Sequence, residues 1–320
     1  MSSRDLDQVP LIDVSALHGG SESDRLALAR SIGQACRDIG FFYVTGHGVE
    51  RALMEAAFGA ARDFFALPLA AKNAISIHKS PHNRGYVAFG GESLDPSKPS
   101  DLKEAFNMGL DLSPEDPEVK AGAPFRGVNM WPEMPGFADT LRAYFNAVWD
   151  LGRALHEAFA RDLGLPPRHF DDKLDRPMAT LRLLHYPPAP QAKLEGQLGA
   201  GAHTDYGNIT LLATDDVGGL EVRLRSGAWI KAPPIAGAFV CNIGDCLMRW
   251  SNDTYVSTPH RVVHERGLER YSIAFFLDPN PEAIVTPLPG TGTPLYPPIT
   301  GAEFLTMRLA PTYAHSLPKN

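Results

Sequence analysis

The chain has 320 residues, 44% hydrophobic and 21% charged, the proportions of a globular protein rather than a disordered one. A net charge of −7 without any lysine- or arginine-rich run argues against nucleic acid as a partner. Neither MSSRDLDQVPLIDV at the N-terminus nor any later stretch is an apolar run of signal-peptide or membrane-helix length, so no membrane association and a cytoplasmic location are expected.

In chain order, Ser21 to Arg37 carries Leu26, Ala29, Ile32, Gly33 and Cys36 at helical spacing after serine caps, which predicts a helix ended by Gly40. Phe41 to Val44 is apolar, aromatic and β-branched, closed by Gly46 and Gly48, and predicts a buried strand. Glu50 to Phe65 predicts a second helix. Residues 78–136 are rich in Gly, Pro, Ser and Asn; so long a loop reads as a functional active-site rim, together with 187–200. A long amphipathic helix is predicted from Phe137 to Leu163, where LGLPP stops it.

From Met178 onward short β-type runs (ATLRLLHY, GNITLLAT, GLEVRL, AFVCNIG, HRVVHE, RYSIAFFL) alternate with Gly, Pro, Asn and Asp clusters, the texture of a jelly roll. Thr300 to Tyr313 predicts a C-terminal helix broken by Pro311. The expectation is an α+β fold: a double-stranded β-helix (jelly-roll) core flanked by helices. Residues 1–136 form its N-terminal helical and strand region with the rim, and 137–320 carry the long helix, the core and the C-terminal helix, all in one compact unit.

His203-Thr204-Asp205 stands just before GNITLLAT. On extended backbone residues i and i+2 share a face, so imidazole and carboxylate can point into a barrel together. Alone the triplet is weak evidence, since 11 histidines and 37 acids produce such pairs by chance. A second one, His169-Phe170-Asp171, sits in a loop and reads as solvated. What lifts the first is His260, opening another strand run 55 positions after Asp205. Two ligands on one strand and a third on a distant strand suit a facial iron(II) site with open positions better than a closed zinc site.

Arg270 and Ser272 share a face of RYSIAFFL and can clamp a carboxylate. Arg182 shares a face with Leu184 and Tyr186, and its buried guanidinium would need a cosubstrate, a substrate carboxylate or a protein acid as partner. Other conspicuous residues have structural readings: His47 as local packing, His264 as rim, Asp245 as a turn residue, and Trp250 as packing. Phe106 is open between packing and pocket wall. Cys36, Cys241 and Cys246 lack CxxC spacing and are expected to be reduced, the latter two as small core side chains.

In GFFYVTGHGV, RGYVAFGGE, DLKEAFNMG, NMWP, LRLLHYPP, GAHTDYGNITLL, the NIGD run at 242–245, SNDTYVSTPHRVV and RYSIAFFLDPN, the sequence resembles nearly end to end the isopenicillin N synthase-like dioxygenases, which include plant flavonoid and gibberellin oxidases and the bacterial ethylene-forming enzyme. The resemblance implies that His203, Asp205 and His260 are catalytic iron ligands. It also implies that Arg270 and Ser272 bind the C5 carboxylate of 2-oxoglutarate, with Tyr186 on the same carboxylate and Arg182 on cosubstrate or substrate. The expected enzyme is then an iron(II)- and 2-oxoglutarate-dependent dioxygenase, stimulated by ascorbate. It uses dioxygen to hydroxylate, desaturate or cyclise a small organic substrate, releasing succinate and carbon dioxide. An oxidase of the same fold that dispenses with 2-oxoglutarate, and a non-catalytic jelly-roll binding protein, are the alternatives.

Overall fold

A computed structural model describes residues 8–94, 98–188, 196–264 and 267–313. The first long helix, Glu22–Asp38, starts at a capping box in which the Ser21 side chain accepts from the Asp24 amide and Asp24 accepts from that of Ser21. Helices Arg51–Phe65 and Phe137–Asp162 follow the predicted limits to within a residue. No helix among the described residues is long and apolar enough to cross a membrane.

The strands are β1 (Leu11–Asp13), β2 (Phe41–Thr45), β3 (Gly85–Val87), β4 (Glu104–Gly109), β5 (Thr180–Tyr186) and β6 (Ala200–His203). They continue with β7 (Ile209–Thr214), β8 (Leu220–Arg223), β9 (Trp229–Lys231), β10 (Phe239–Ile243), β11 (His260–Val262) and β12 (Arg270–Leu277). Eight form one sheet in the order β1-β2-β10-β7-β12-β5-β4-β3, and four form a second in the order β6-β11-β8-β9. Two sheets face to face make the jelly roll, and strands from both 1–136 and 137–320 share the larger one.

Alternation along the central strands creates two environments. Ile273, Phe275 and Leu277 of β12, with Leu181 and Leu183 of β5 and Leu211 of β7, face the three helices and form the main core. Arg270, Ser272, Ala274 and Phe276 face the other way, with Arg182, Leu184 and Tyr186, into a cavity between the sheets. One face therefore stabilises the fold and the other is left for chemistry.

Three expectations are corrected. Residues 78–136 are not loop alone, because DLKEAFNMG supplies β4, which pairs with β5, and GYV supplies β3. All six residues of β4 are buried, so it lacks the alternation that marks a strand in sequence. Asp245 is no turn residue but the first residue of a helix, Asp245–Trp250, and is buried. The C-terminal helix runs Gly301–Tyr313 past Pro311, where the proline removes one hydrogen bond and only two residues of helix follow it.

Candidate metal centre and its cavity

His203 ends β6 and His260 begins β11, and the two are register partners in the antiparallel ladder. Their rings lie 4.3 Å apart, centroid to centroid. Asp205, two residues past His203, places Oδ1 3.6 Å from Nε2 of His203 and 3.7 Å from Nε2 of His260. The three side chains thus present one donor atom each, all within 4.8 Å of one another.

The surrounding bonds fit this set to a cation. Nδ1 of His203 is 2.7 Å from the Gly201 carbonyl oxygen and Nδ1 of His260 is 3.2 Å from that of Thr258. A carbonyl only accepts, so each Nδ1 carries the proton and each Nε2 presents a lone pair to the centre. Thr210 Oγ1 and Asn242 Nδ2 donate to Asp205 Oδ2 at 2.6 and 2.7 Å, leaving Oδ1 free. Burial, and then the charge of His260, push the protonation of His203 down. Burial alone would raise Asp205, but both imidazoles and the two hydrogen bonds outweigh it, so this carboxyl stays ionised below its usual range. Two neutral imidazoles and a carboxylate are the protonation states that a divalent metal requires.

The NIGD run explains the rigidity of Asp205. Asn242 is the register partner of Thr210, which brings both donors to the same carboxylate oxygen. The helix that begins at Asp245 then aims its free first-turn amides at the preceding loop: the Asp245 amide donates to Asp205 O at 2.8 Å and the Cys246 amide to Tyr206 O at 3.1 Å. Gly244 allows the approach, since a Cβ there would come within 2.2 Å of the Gly207 carbonyl oxygen. Thr210 and Asn242 were missed as site residues; their signal was their register position, which only the paired sheet reveals.

Arg270, 1% exposed, donates from Nε to the Gly218 carbonyl at 3.0 Å and from a terminal nitrogen to Ser272 Oγ at 3.2 Å. Its guanidinium carbon sits 4.6 Å from the centre of the Tyr186 ring, its cross-strand partner. Among the described residues no carboxylate forms a direct ion pair with it; Asp215, bonded to the neighbouring Tyr271 amide, is the acid whose charge it feels. Arg182 differs. It pairs with a protein acid, Glu92, which also lies 3.7 Å from Lys103 Nζ. Opposite Ala274, it stands four residues from Tyr186, about 13 Å along the strand.

The cavity has a volume of about 210 Å³ and contains the triad, Arg270, Ser272 and Tyr186 together. The C-terminal helix covers it with Leu305 and Leu309, and Arg308 of that helix pairs with Asp245. Burial holds Asp245 above the usual carboxylate range, and Asp278, under burial and the charge of Asp205, is pushed up to about 7.

The remaining candidates lie outside the triad. His47 Nδ1 accepts from the Val49 amide, but its Nε2 bonds the Gly237 carbonyl and its ring packs edge-on against Phe239 of β10, so it packs on the barrel and not only locally. His264 is buried rather than on a rim, with Nε2 bonded to the Pro187 carbonyl. Asp171 pairs with Arg168, apart from His169. Phe106 and Trp250 are core residues, and Cys36, Cys241 and Cys246 are buried and unbridged. Of the rim segment 187–200, residues 189–195 lie outside the described residues.

Comparison with known proteins matches residues 9–134 to the N-terminal region of non-haem dioxygenases in morphine synthesis and residues 177–279 to the 2OG-Fe(II) oxygenase superfamily. The 2-oxoglutarate-Fe(II) type oxidoreductase hxnY of Emericella nidulans is 37% identical over 301 residues, covering 91% of this chain and 86% of the relative. A homoarginine-6-hydroxylase of Oryza sativa subsp. japonica is 38% identical over 296 residues, covering 89% of each chain. A Neurospora crassa protein crystallised with alpha-KG and thymine superposes with a TM-score of 0.85 at 34% identity, covering 98% of this chain and 100% of that one. With both family regions matched in order and the donor set in place, the chain belongs to the 2OG-Fe(II) oxygenase superfamily and is an iron(II)- and 2-oxoglutarate-dependent oxygenase.

Proposed function

We propose that His203, Asp205 and His260 hold the iron, that Arg270, Ser272 and Tyr186 hold the distal carboxylate of 2-oxoglutarate, and that the rest of the cavity takes a small organic substrate. The observation that carries this is that a buried guanidinium with no direct ion-pair partner and a His-Asp-His donor set line one cavity. Iron(II) with 2-oxoglutarate and dioxygen supplies an oxidant that removes hydrogen from the substrate, with succinate and carbon dioxide released.

The chain's own contribution is positional. The backbone carbonyls of Gly201 and Thr258 fix the imidazole tautomers, and Thr210 and Asn242 fix the carboxylate. Arg270 gives the cosubstrate acid a charged and directional partner in place of water. The Tyr186 ring beneath the guanidinium keeps it in plane. Leu305, Leu309, Phe276 and Met178 exclude water from the substrate end, where a reactive oxidant must meet substrate and not solvent. Arg182, held by Glu92, belongs to that substrate end. The acidic chain suits a soluble small molecule in the cytoplasm better than nucleic acid or lipid.

The test is substrate-stimulated succinate formation by purified protein with iron(II), ascorbate and 2-oxoglutarate across a small-molecule panel. Product formation without 2-oxoglutarate consumption would assign the chain to the oxidases that dispense with it.

A further inference from the structure

The inward face of β12 reads Arg270, Ser272, Ala274, Phe276 and, one step past the strand end, Asp278, and all five line the same cavity. The cation at one end has an assignment, the carboxylate at the other has none. Asp278 is 6% exposed, and burial, then the charge of Asp205, push it toward its neutral form, which a cation placed against it would reverse. Among the described residues no lysine, arginine or histidine pairs with it. Its position is close to the triad, because a Cβ on Gly207, two residues past Asp205, would come 2.9 Å from Asp278 Oδ1. A buried carboxylate without a donor is costly to the fold, and such a group in a cavity wall marks a place where a ligand supplies the missing partner.

Asn107 is a second, independent observation. It is 1% exposed, lines the cavity, and its Oδ1 has no hydrogen-bond partner. Of the cations lining the cavity, Arg182 pairs with Glu92, which Lys103 also approaches, while Arg84 lies buried against Gly109 of β4; Arg308 on the covering helix pairs with Asp245. Asn107 stands level with Arg182 and Ala274, four residues short of Asp278, and the cavity wall also carries Phe125, Met178, Phe276, Leu305 and Leu309. A ligand complementary to this end has an apolar body, N–H donors and a positive charge.

We propose that Asp278 is the specificity-determining residue of the substrate pocket and that the substrate is a small molecule carrying an ammonium or guanidinium group on an apolar skeleton. This rests on the reading that 2-oxoglutarate occupies the Arg270 end, which leaves the Asp278 end to the substrate. Charge selection then works by matching: a substrate carboxylate would face Asp278 with like charge, and a neutral alcohol would leave the carboxylate without its counter-ion.

The experiment is anaerobic titration calorimetry of the iron(II)-loaded protein, first with 2-oxoglutarate and then with matched probes of one skeleton: hexylamine, hexylguanidine, hexanol and hexanoate, and likewise 2-phenylethylamine, 2-phenylethanol and phenylacetate. In at least one set the cation is expected to bind about tenfold or more tightly than the alcohol, with the carboxylate weakest, a margin of the order expected for a desolvated charge pair. Asp278→Asn, nearly identical in shape, should erase that margin and leave alcohol affinity within about twofold. Asp278→Ser serves as a second uncharged variant, with thermal unfolding to show that both are folded. The proposal is overturned if no cation binds, if no set prefers it, or if the preference survives in both variants. Failure of the 2-oxoglutarate reading shows separately, as an absent first titration in the wild-type protein.

Discussion

Arg182 and Glu92, 90 residues apart in the chain, form an ion pair in the cavity wall, with Lys103 as a second cation on the same carboxylate. Removing one partner of a buried pair leaves the other uncompensated, typically at about 3 kcal/mol. Arg182→Leu is therefore expected to lower the melting temperature, and adding Glu92→Gln in the same chain should recover part of the loss. Thermal unfolding of the single and double variants checks it. An unaltered melting temperature with weakened 2-oxoglutarate binding would instead put Arg182 on the cosubstrate.

Metal-free protein should regain activity with iron(II) and not with zinc, which occupies N/O ligands but has no redox chemistry. His203→Ala, Asp205→Ala and His260→Ala should each abolish succinate formation. Thr210→Val and Asn242→Leu, which strip hydrogen bonds from Asp205 without touching a donor atom, should weaken metal binding by about 10- to 100-fold. Equilibrium dialysis against iron(II) or manganese(II) reads all five. Retained turnover in any alanine variant would remove that residue from the triad.

Arg270→Ala should weaken 2-oxoglutarate by roughly 30-fold to several thousand-fold, the equivalent of about 2 to 5 kcal/mol for truncating one partner of a buried charge pair. Ser272→Ala should lose about 1 kcal/mol, the contribution of one hydrogen bond. Direct titration of 2-oxoglutarate into metal-loaded protein gives both. Unchanged affinity in Arg270→Ala would refute the assignment of that end of the cavity.

His156, fully buried on the long helix, is held neutral: its Nδ1 bonds the Gly152 carbonyl at 2.7 Å, and burial pushes its protonation down to about 4. The unfolded chain takes up this proton near pH 6.5. Stability is thus complete above pH 6.5 and falls as the pH drops toward 4, below which this residue adds no further loss, for a total of about 3 kcal/mol. Thermal unfolding of the wild type against His156→Gln across that range tests it. The variant should lose less stability on acidification, and equal slopes would show that other groups govern acid unfolding.

Periodicity and caps in the sequence by themselves determined the three long helices, the strand-rich second half and the residue types of the triad. These are local properties: a helix repeat, a serine cap and a His-x-Asp on extended backbone are all readable within a few residues. The sequence also placed Arg270 and Ser272 on one face, because the period of a strand is two. Tertiary structure alone decided what each side chain meets. β4 was illegible because all its residues are buried and no polar face marks it. Asp245 read as a turn residue because the carbonyls that its helix amides engage, and Arg308 of the C-terminal helix, come together only when the barrel closes. Likewise, Thr210 and Asn242 became carboxylate holders, Glu92 became the partner of Arg182, and Asp278 was left without one, through pairings between strands and loops distant in sequence. Register and burial are properties of pairs of segments, and neither segment specifies them alone.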